Sequence, residues 1–374
     1  MNLSPISWPE RTGISSYVYQ LVRAYASDPA KAEAMAGFVY SRRKAAQSTV
    51  EDLAGFPIRS LRLPEKATFR LLRLPHLNRW GMAGLRVYHE TSLYPRPVPP
   101  ACKMIYTLYD VLPLIHPDWY SPFSVREYKS ALNRASRTAG RIIVQSRAAL
   151  RDVLQAAPRL EKKLIFIPNG VDRREFRPDI PAETVKGALA GLGLKPPYIL
   201  FTGAIQPRKN VDGLIRAFLH LIGDIPHTLV LAGPVGWKGR EILAAIEDDS
   251  ARGRIRHLGF VPAQWLPALY QAADLYVFPS RGEGFGLTVL EAMASGVPVV
   301  TSSVSAMPEV AGQAALLVHP DDGEALAAAM RRTLEDRDLR RTMIEAGLRR
   351  AGEFPWSRTA DLTWKLYEEA KEPA

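Results

Sequence analysis

Phe278-Pro-Ser-Arg-Gly-Glu-Gly-Phe-Gly-Leu-Thr-Val-Leu-Glu-Ala-Met-Ala-Ser-Gly-Val-Pro-Val-Val300 runs a strand end, a glycine-rich loop, a helix and a second strand together without a break. The strand stops at Ser280. The loop Gly282 to Gly286 lets the backbone come close to a ligand, and the helix behind it offers N–H groups and a partial positive charge. A diphosphate is the natural guest, and Glu283 sits in the loop where it can point at that guest. Glu291 lies inside the helix among Val289, Leu290, Ala292 and Met293. A carboxylate in so apolar a segment is costly without a partner. Ribose hydroxyls are one such partner; a solvent-facing carboxylate near a helix N-terminus is the plainer alternative.

Working outward, short apolar runs alternate with helical patterns. Strands are expected at Tyr198 to Gly203, Thr228 to Gly233, Ile255 to Phe260, Leu275 to Pro279, Val297 to Thr301 and Ala315 to Val318. Helices are expected at Val211 to Leu221, Arg240 to Ile246, Trp265 to Ala272, Gly286 to Ala294 and Gly323 to Leu334. Strands apolar on both faces imply a parallel sheet covered on both sides. Ligands of such open sheets bind beyond the carboxyl ends of the strands. Gly203-Ala-Ile-Gln-Pro-Arg-Lys-Asn210 has that position, with Arg208 suited to a bidentate phosphate contact and Lys209 to a point charge. The competing reading is two solvated basic residues in a loop.

The first half is less regular. Strands are expected at Ala36 to Tyr40, Arg86 to His89, Met104 to Tyr109, Arg141 to Gln145 and Leu164 to Ile167, with helices at Tyr17 to Ala26 and Tyr128 to Thr138. Only Met1 to Ile6 precedes Thr12-Gly13, so any first strand is very short or incomplete. The fold class expected is α/β: two Rossmann-like domains, 1–176 and 177–352, facing each other across a cleft. A last helix, about Trp356 to Ala370, is expected to return to the first domain.

At 374 residues the chain suits two domains. No apolar run reaches the roughly 18 residues of a membrane helix. Pro5, Trp8, Pro9 and Glu10 stand where a signal peptide needs an apolar core. Cys102 is the only cysteine, which excludes intrachain disulfides and Cys-based metal sites. These features point to the cytoplasm. The net charge of +11 is uneven: residues 1–176 hold 27 Lys/Arg against 14 Asp/Glu, and the remainder 22 against 24. A basic half suggests an anionic partner. Between Ile58 and Arg86, seven basic residues interleave with Phe69, Leu71, Leu72, Leu74, Leu77 and Trp80 against one acid, Glu65. That pattern suits peripheral docking on an anionic membrane face through residues 58–86, or a basic rim over core residues.

Together these residues resemble the donor-binding half of the family 4 retaining glycosyltransferases of GT-B architecture. Glu283 and Glu291 match that family's paired glutamates, and Pro207-Arg-Lys-Asn210 a version of its basic motif. Thr12-Gly13-Ile14, Ile167-Pro-Asn-Gly-Val-Asp172 and Phe354-Pro-Trp356 match further pieces. The resemblance implies that Glu283 contacts the transferred sugar, Glu291 the ribose, and Arg208 and Lys209 the diphosphate. It implies that Gly13, Gly203 and the backbone of Gly284, Phe285, Gly286 and Leu287 line the donor, with the base near Phe260 and Val261. Two departures stand out. Ala204 replaces an Arg that commonly follows the strand-ending Gly, and Tyr109-Asp110 replaces a His-Asp pair on the acceptor or sugar side. His116-Pro-Asp-Trp-Tyr120 resembles bacterial mannosyltransferase-like members and hints at a GDP-mannose-type donor. The acceptor implied is a saccharide or a lipid-linked glycan, and the setting cell-surface polysaccharide assembly on the inner membrane face.

Asp336-Arg-Asp338 is the one Asp-x-Asp pattern that could hold a metal, but residues two apart on a helix diverge. His89, Glu90 and His116 form no known ligand spacing. No essential metal and no cofactor are therefore expected. A sugar-nucleotide epimerase of the same fold, or a basic nucleic-acid-binding protein, are the alternatives. The second explains the charge but neither the Gly282 loop nor Glu291, and no nucleic-acid module is visible.

Overall fold

The computed structural model describes residues 1–7, 12–40, 53, 56–61, 84–96, 98–99, 101–244 and 253–372. Most of the segment 58–86 expected to dock on membranes lies outside the described residues; its first four, Ile58–Leu61, form a strand. The chain divides into two compact units. One comprises Met1–Ile115, Pro122–Gly170 and Trp356–Ala374; the other comprises His116–Ser121 and Val171–Pro355. The division thus falls at Gly170/Val171 and not after residue 176. The reason is local packing: the Val171 amide donates to the Phe354 carbonyl at 2.8 Å, and the Phe176 ring meets Tyr270 edge-on at 5.7 Å.

The first unit carries parallel strands β1 (Gly37–Tyr40), β2 (Ile58–Leu61), β3 (Val87–Glu90), β4 (Lys103–Thr107), β5 (Ala139–Val144) and β6 (Leu164–Phe166). β1 pairs with β2, and β3 to β6 form a second ladder. The chain start joins them: the Leu3 amide donates to Phe38 at 2.7 Å, and the Asn2 amide to His89 at 2.9 Å. Met1 to Leu3 thus sit between β1 and β3, giving the order β2-β1-start-β3-β4-β5-β6. Helices Pro122–Thr138 and Arg147–Ala156 cover one face, burying Leu132, Ala135, Ala149 and Val153 against Met104, Tyr106, Ile142 and Val144. The C-terminal helix Trp356–Lys371 belongs to this unit, where Tyr25 donates to the Ala360 carbonyl at 3.3 Å and Thr359 to Pro168 at 2.8 Å.

The second unit is a six-stranded parallel sheet: β7 (Tyr198–Thr202), β8 (Thr228–Ala232), β9 (Ile255–Gly259), β10 (Leu275–Phe278), β11 (Val299–Ser302) and β12 (Ala315–Val318). The order across the sheet is β9-β8-β7-β10-β11-β12. Tyr198 to Phe201 and Leu275 to Val277 are fully buried, as strands covered on both faces must be. From β7 the chain winds one way, and from β10 the other. The boundary between β7 and β10 is a topological switch point, where the loops diverge and leave a crevice at the carboxyl ends. Asp336 caps the helix Arg337–Gly352 through the Leu339 amide at 2.9 Å, and exposed Asp338 pairs with Arg341. Asp-x-Asp is here a helix start and its solvated flank.

Candidate active site

The two segments singled out in the sequence emerge side by side at the switch point. The loop after β7 passes through Gly203 at φ 144° and a 3-10 turn, Pro207–Lys209. The loop after β10 carries Ser280 to Gly286 into the helix Leu287–Ala294. Main-chain and side-chain bonds lock the two together. The Arg281 amide donates to the Arg208 carbonyl at 2.8 Å, Arg281 Nη1 to Pro207 at 3.0 Å, and Arg208 Nη1 to the Gly282 carbonyl at 2.5 Å. Arg281 also pairs with Asp321 at 3.3 Å, which anchors it from the far side.

Within this frame Glu283, Arg208 and Lys209 form one ion cluster. Glu283 Oε1 lies 2.7 Å from Arg208 Nη1 and 2.7 Å from Lys209 Nζ, and accepts from Ser280 Oγ at 2.5 Å. The Lys209 ammonium also rides 4.6 Å over the Phe278 ring. Burial alone would raise the Glu283 carboxyl; Arg208 and Lys209 outweigh it, with the Ser280 hydrogen bond, and hold it at about 2. The carboxylate is thus ionised at any working pH, and the cluster carries one surplus positive charge. The side chains keep 13, 10 and 12% exposure for Arg208, Glu283 and Lys209, so an anion can reach them. The helix behind has Gly286 at φ 111° as its N-cap, with no side chain to satisfy its first amides. That φ is what calls for glycine at the turn, and the Met307 side chain fills the space over it, where a Cβ would meet Cε. The arrangement can bind a polyanion and place one ionised carboxylate beside it.

Glu291 is half-buried, and its Oε2 accepts from the Tyr270 phenol at 3.0 Å. Tyr270 also meets Thr202 Oγ1 at 2.6 Å, and Thr202 meets the Tyr276 hydroxyl at 3.0 Å. Since Tyr270 gives its one proton to Glu291, Thr202 donates to Tyr270 and Tyr276 to Thr202. Burial pushes the Tyr270 phenol well above its ordinary pKa, which keeps it a neutral donor. Glu291 is thus an oriented carboxylate.

The fold and these motifs agree with comparisons to known proteins. The family of group 1 glycosyl transferases matches residues 190–350. O-antigen chain mannosyltransferase B of Escherichia coli is 31% identical over 309 residues, spanning 80% of this chain and 79% of that one. The chain belongs to this family. Sucrose-phosphate synthase from Thermosynechococcus elongatus shares the fold over 98% of this chain and 97% of its own, with TM-score 0.74 and 22% identity. Anabaena HepE, solved with UDP and glucose, does so over 98% of each chain with TM-score 0.75 and 19% identity. The protein is a glycosyltransferase of GT-B fold.

Other positions expected of the glycosyltransferase site are spread over both units. Gly284 on the loop and Leu287 at the helix start are partly exposed, whereas the Phe285 ring is buried against Phe354 at 6.0 Å. Phe260 is 40% exposed beyond β9 while Val261 is buried, so of the two only Phe260 presents its ring. In the first unit, Gly13 opens the helix Gly13–Ala26 behind a Thr12–Ser15 capping box. Among the described residues, no side chain or neighbouring element comes within 4 Å of where its Cβ would be. The Tyr109 hydroxyl donates to the Thr91 carbonyl at 2.8 Å, and its ring packs on Tyr17 at 5.7 Å. Asp110 Oδ1 accepts from the Leu112 amide at 3.1 Å. His89 is sealed between Tyr367 and Thr107, at 2.5 and 2.7 Å, and burial, with the nearby N-terminal amine, lowers it to about 3. Among the described residues no group of three His, Cys, Asp or Glu side chains could hold a metal ion. None of their helices is long and apolar enough to cross a membrane. Ser280, Ser305 and Tyr270 touch the site without having been expected there. Ser280 lay inside the quoted run, but the other two reach the site through tertiary contacts that leave no local pattern.

Proposed function

We propose that the protein transfers a mannosyl residue from a GDP-mannose-type donor to a saccharide or lipid-linked acceptor, with retention at the anomeric carbon, in cell-surface polysaccharide assembly. The observation that carries the reading is the Glu283–Arg208–Lys209 cluster at the switch point of the second unit. In the transfer, the bond from the anomeric carbon to the diphosphate oxygen breaks and the bond to the acceptor oxygen forms. Negative charge grows on the diphosphate, where Arg208, Lys209 and the helix N-terminus at Leu287 are placed to stabilise it. The acceptor proton leaves on the released phosphate oxygen. Glu283 lies beside the sugar's developing positive charge, and Glu291 takes the ribose hydroxyls. The mannosyl assignment is supported by the 31% identical O-antigen mannosyltransferase and by His116-Pro-Asp-Trp-Tyr120.

With fixed cations in this role, transfer needs no divalent metal, and EDTA should leave the rate unchanged. Peripheral docking through the basic segment 58–86 belongs to the same reading, and vesicle sedimentation should show binding that needs anionic lipid and weakens with salt. The direct test is thermal shift with a panel of nucleotide sugars, followed by transfer and NMR of the product. GDP-mannose should stabilise the protein most and give a product that keeps the donor's anomeric configuration. Preference for another donor would reassign the sugar; turnover of donor to an epimer without acceptor would replace the transferase reading.

A further inference from the structure

Ser305 lies on the turn that follows β11, with backbone φ at 56°. That left-handed conformation is uncommon for a residue with a side chain and is a place where strain is stored. Two hydrogen bonds hold it there, and both go to one residue. The Ser305 hydroxyl accepts from the Glu283 amide at 3.0 Å and donates to the Glu283 carbonyl at 2.9 Å. The neighbouring Met307 fills the space over Gly286, where a Cβ would meet its terminal methyl. One turn therefore braces the loop at Glu283 and again at Gly286.

The carboxylate end of Glu283 is held differently, by Arg208, Lys209 and Ser280. A bound diphosphate competes for Arg208 and Lys209, which then turn from Glu283 toward phosphate. Ser280 at the carboxylate and Ser305 at the main chain are contacts that the ligand does not draw away. We infer that Ser305 is a positioning residue that keeps Glu283 aimed at the sugar after the donor has taken its cationic partners. The inference rests on the transferase reading above, in which Glu283 faces the transferred sugar.

Two variants separate the hydroxyl from the backbone. Ser305→Gly accepts the left-handed φ without strain, and Ser305→Ala keeps the Cβ. Both should melt as folded proteins and lose about 10- to 100-fold in kcat, the scale of a misplaced reacting group. Donor KM and nucleoside diphosphate Kd should stay within about two-fold, because the phosphate contacts are untouched. In a Glu283→Gln background, adding Ser305→Gly should slow the residual rate no further. An unchanged kcat in Ser305→Gly, a loss in Ser305→Ala alone, or a parallel rise in KM and Kd would each overturn the assignment. Full activity in Glu283→Gln would instead bring down the transferase role of Glu283. A dead Glu283→Gln beside a normal Ser305→Gly removes Ser305 alone.

Discussion

Two buried Arg–Glu pairs occupy the ends of parallel strands, one in each unit, and they differ in what surrounds them. Glu90, the last residue of β3, pairs with Arg96 at 2.9 Å, and both side chains have 0% exposure. Its other oxygen accepts from the Asn2 side chain and from the Ser92 amide at 2.9 Å. Glu283 and Arg208 sit at 2.7 Å and keep an opening to solvent, with a second cation, Lys209, on the same oxygen. The first pair is closed to solvent, and it staples the chain start to β3. The second shares one carboxylate oxygen between two cations and keeps 10 to 13% of each side chain exposed. Burial of charge is common to both pairs; the opening to solvent separates them.

The contrast can be broken by experiment. Glu283→Ala should reduce transfer by about 1000-fold, the scale of removing a group that acts on transition-state charge, with no loss of fold. Because Glu283 occupies both cations, the same variant should bind nucleoside diphosphate more tightly; weaker binding by calorimetry would contradict the competition. Glu90→Ala should do the opposite, lowering stability by about 3–5 kcal/mol by removing the carboxylate that faces the buried Arg96 guanidinium. The folded fraction should bind nucleoside diphosphate normally, and a kinetic defect without a stability loss would erase the distinction.

Arg208→Ala and Lys209→Ala should each weaken nucleoside diphosphate binding by about 1–3 kcal/mol while leaving free nucleoside binding nearly intact. Equal losses for both ligands would move the cations away from phosphate. The smallest effect concerns pH. His89 is neutral in the folded chain down to about 3, whereas the unfolded chain takes up a proton near 6.5. Stability is therefore complete above that value and falls on acidification by up to about 1.4 kcal/mol per pH unit, levelling below the folded value. A thermal-melt series from pH 7 to 5 should show this slope, and His89→Gln should flatten it.

The second unit is legible in sequence because strands buried on both faces read as unbroken apolar runs, and five of the six start within one residue of the expected position. The loops at its switch point are legible because glycine and paired charges are unusual next to such runs. β2 is not: Ile-Arg-Ser-Leu alternates too weakly to show a strand, and its basic surroundings suggest a surface segment instead. Nor could sequence join Glu283 to the two cations it was expected to work beside. The sequence separation of 74 between Lys209 and Glu283 is closed by sheet order, a tertiary fact. The Tyr270 bond to Glu291 and the Ser305 bonds to Glu283 span about 20 residues each for the same reason.

The C-terminal helix has a consequence for how the chain is made. Tyr367 closes over His89, 278 residues away, and Ala360 receives the Tyr25 hydroxyl. A ribosome therefore releases the first unit's sheet long before it releases the helix that completes it, and the whole of Val171–Pro355 emerges in between. The second unit can finish folding while its elder neighbour still waits. During that interval the His89 ring and the Tyr25 hydroxyl lack the partners that the C-terminal helix brings.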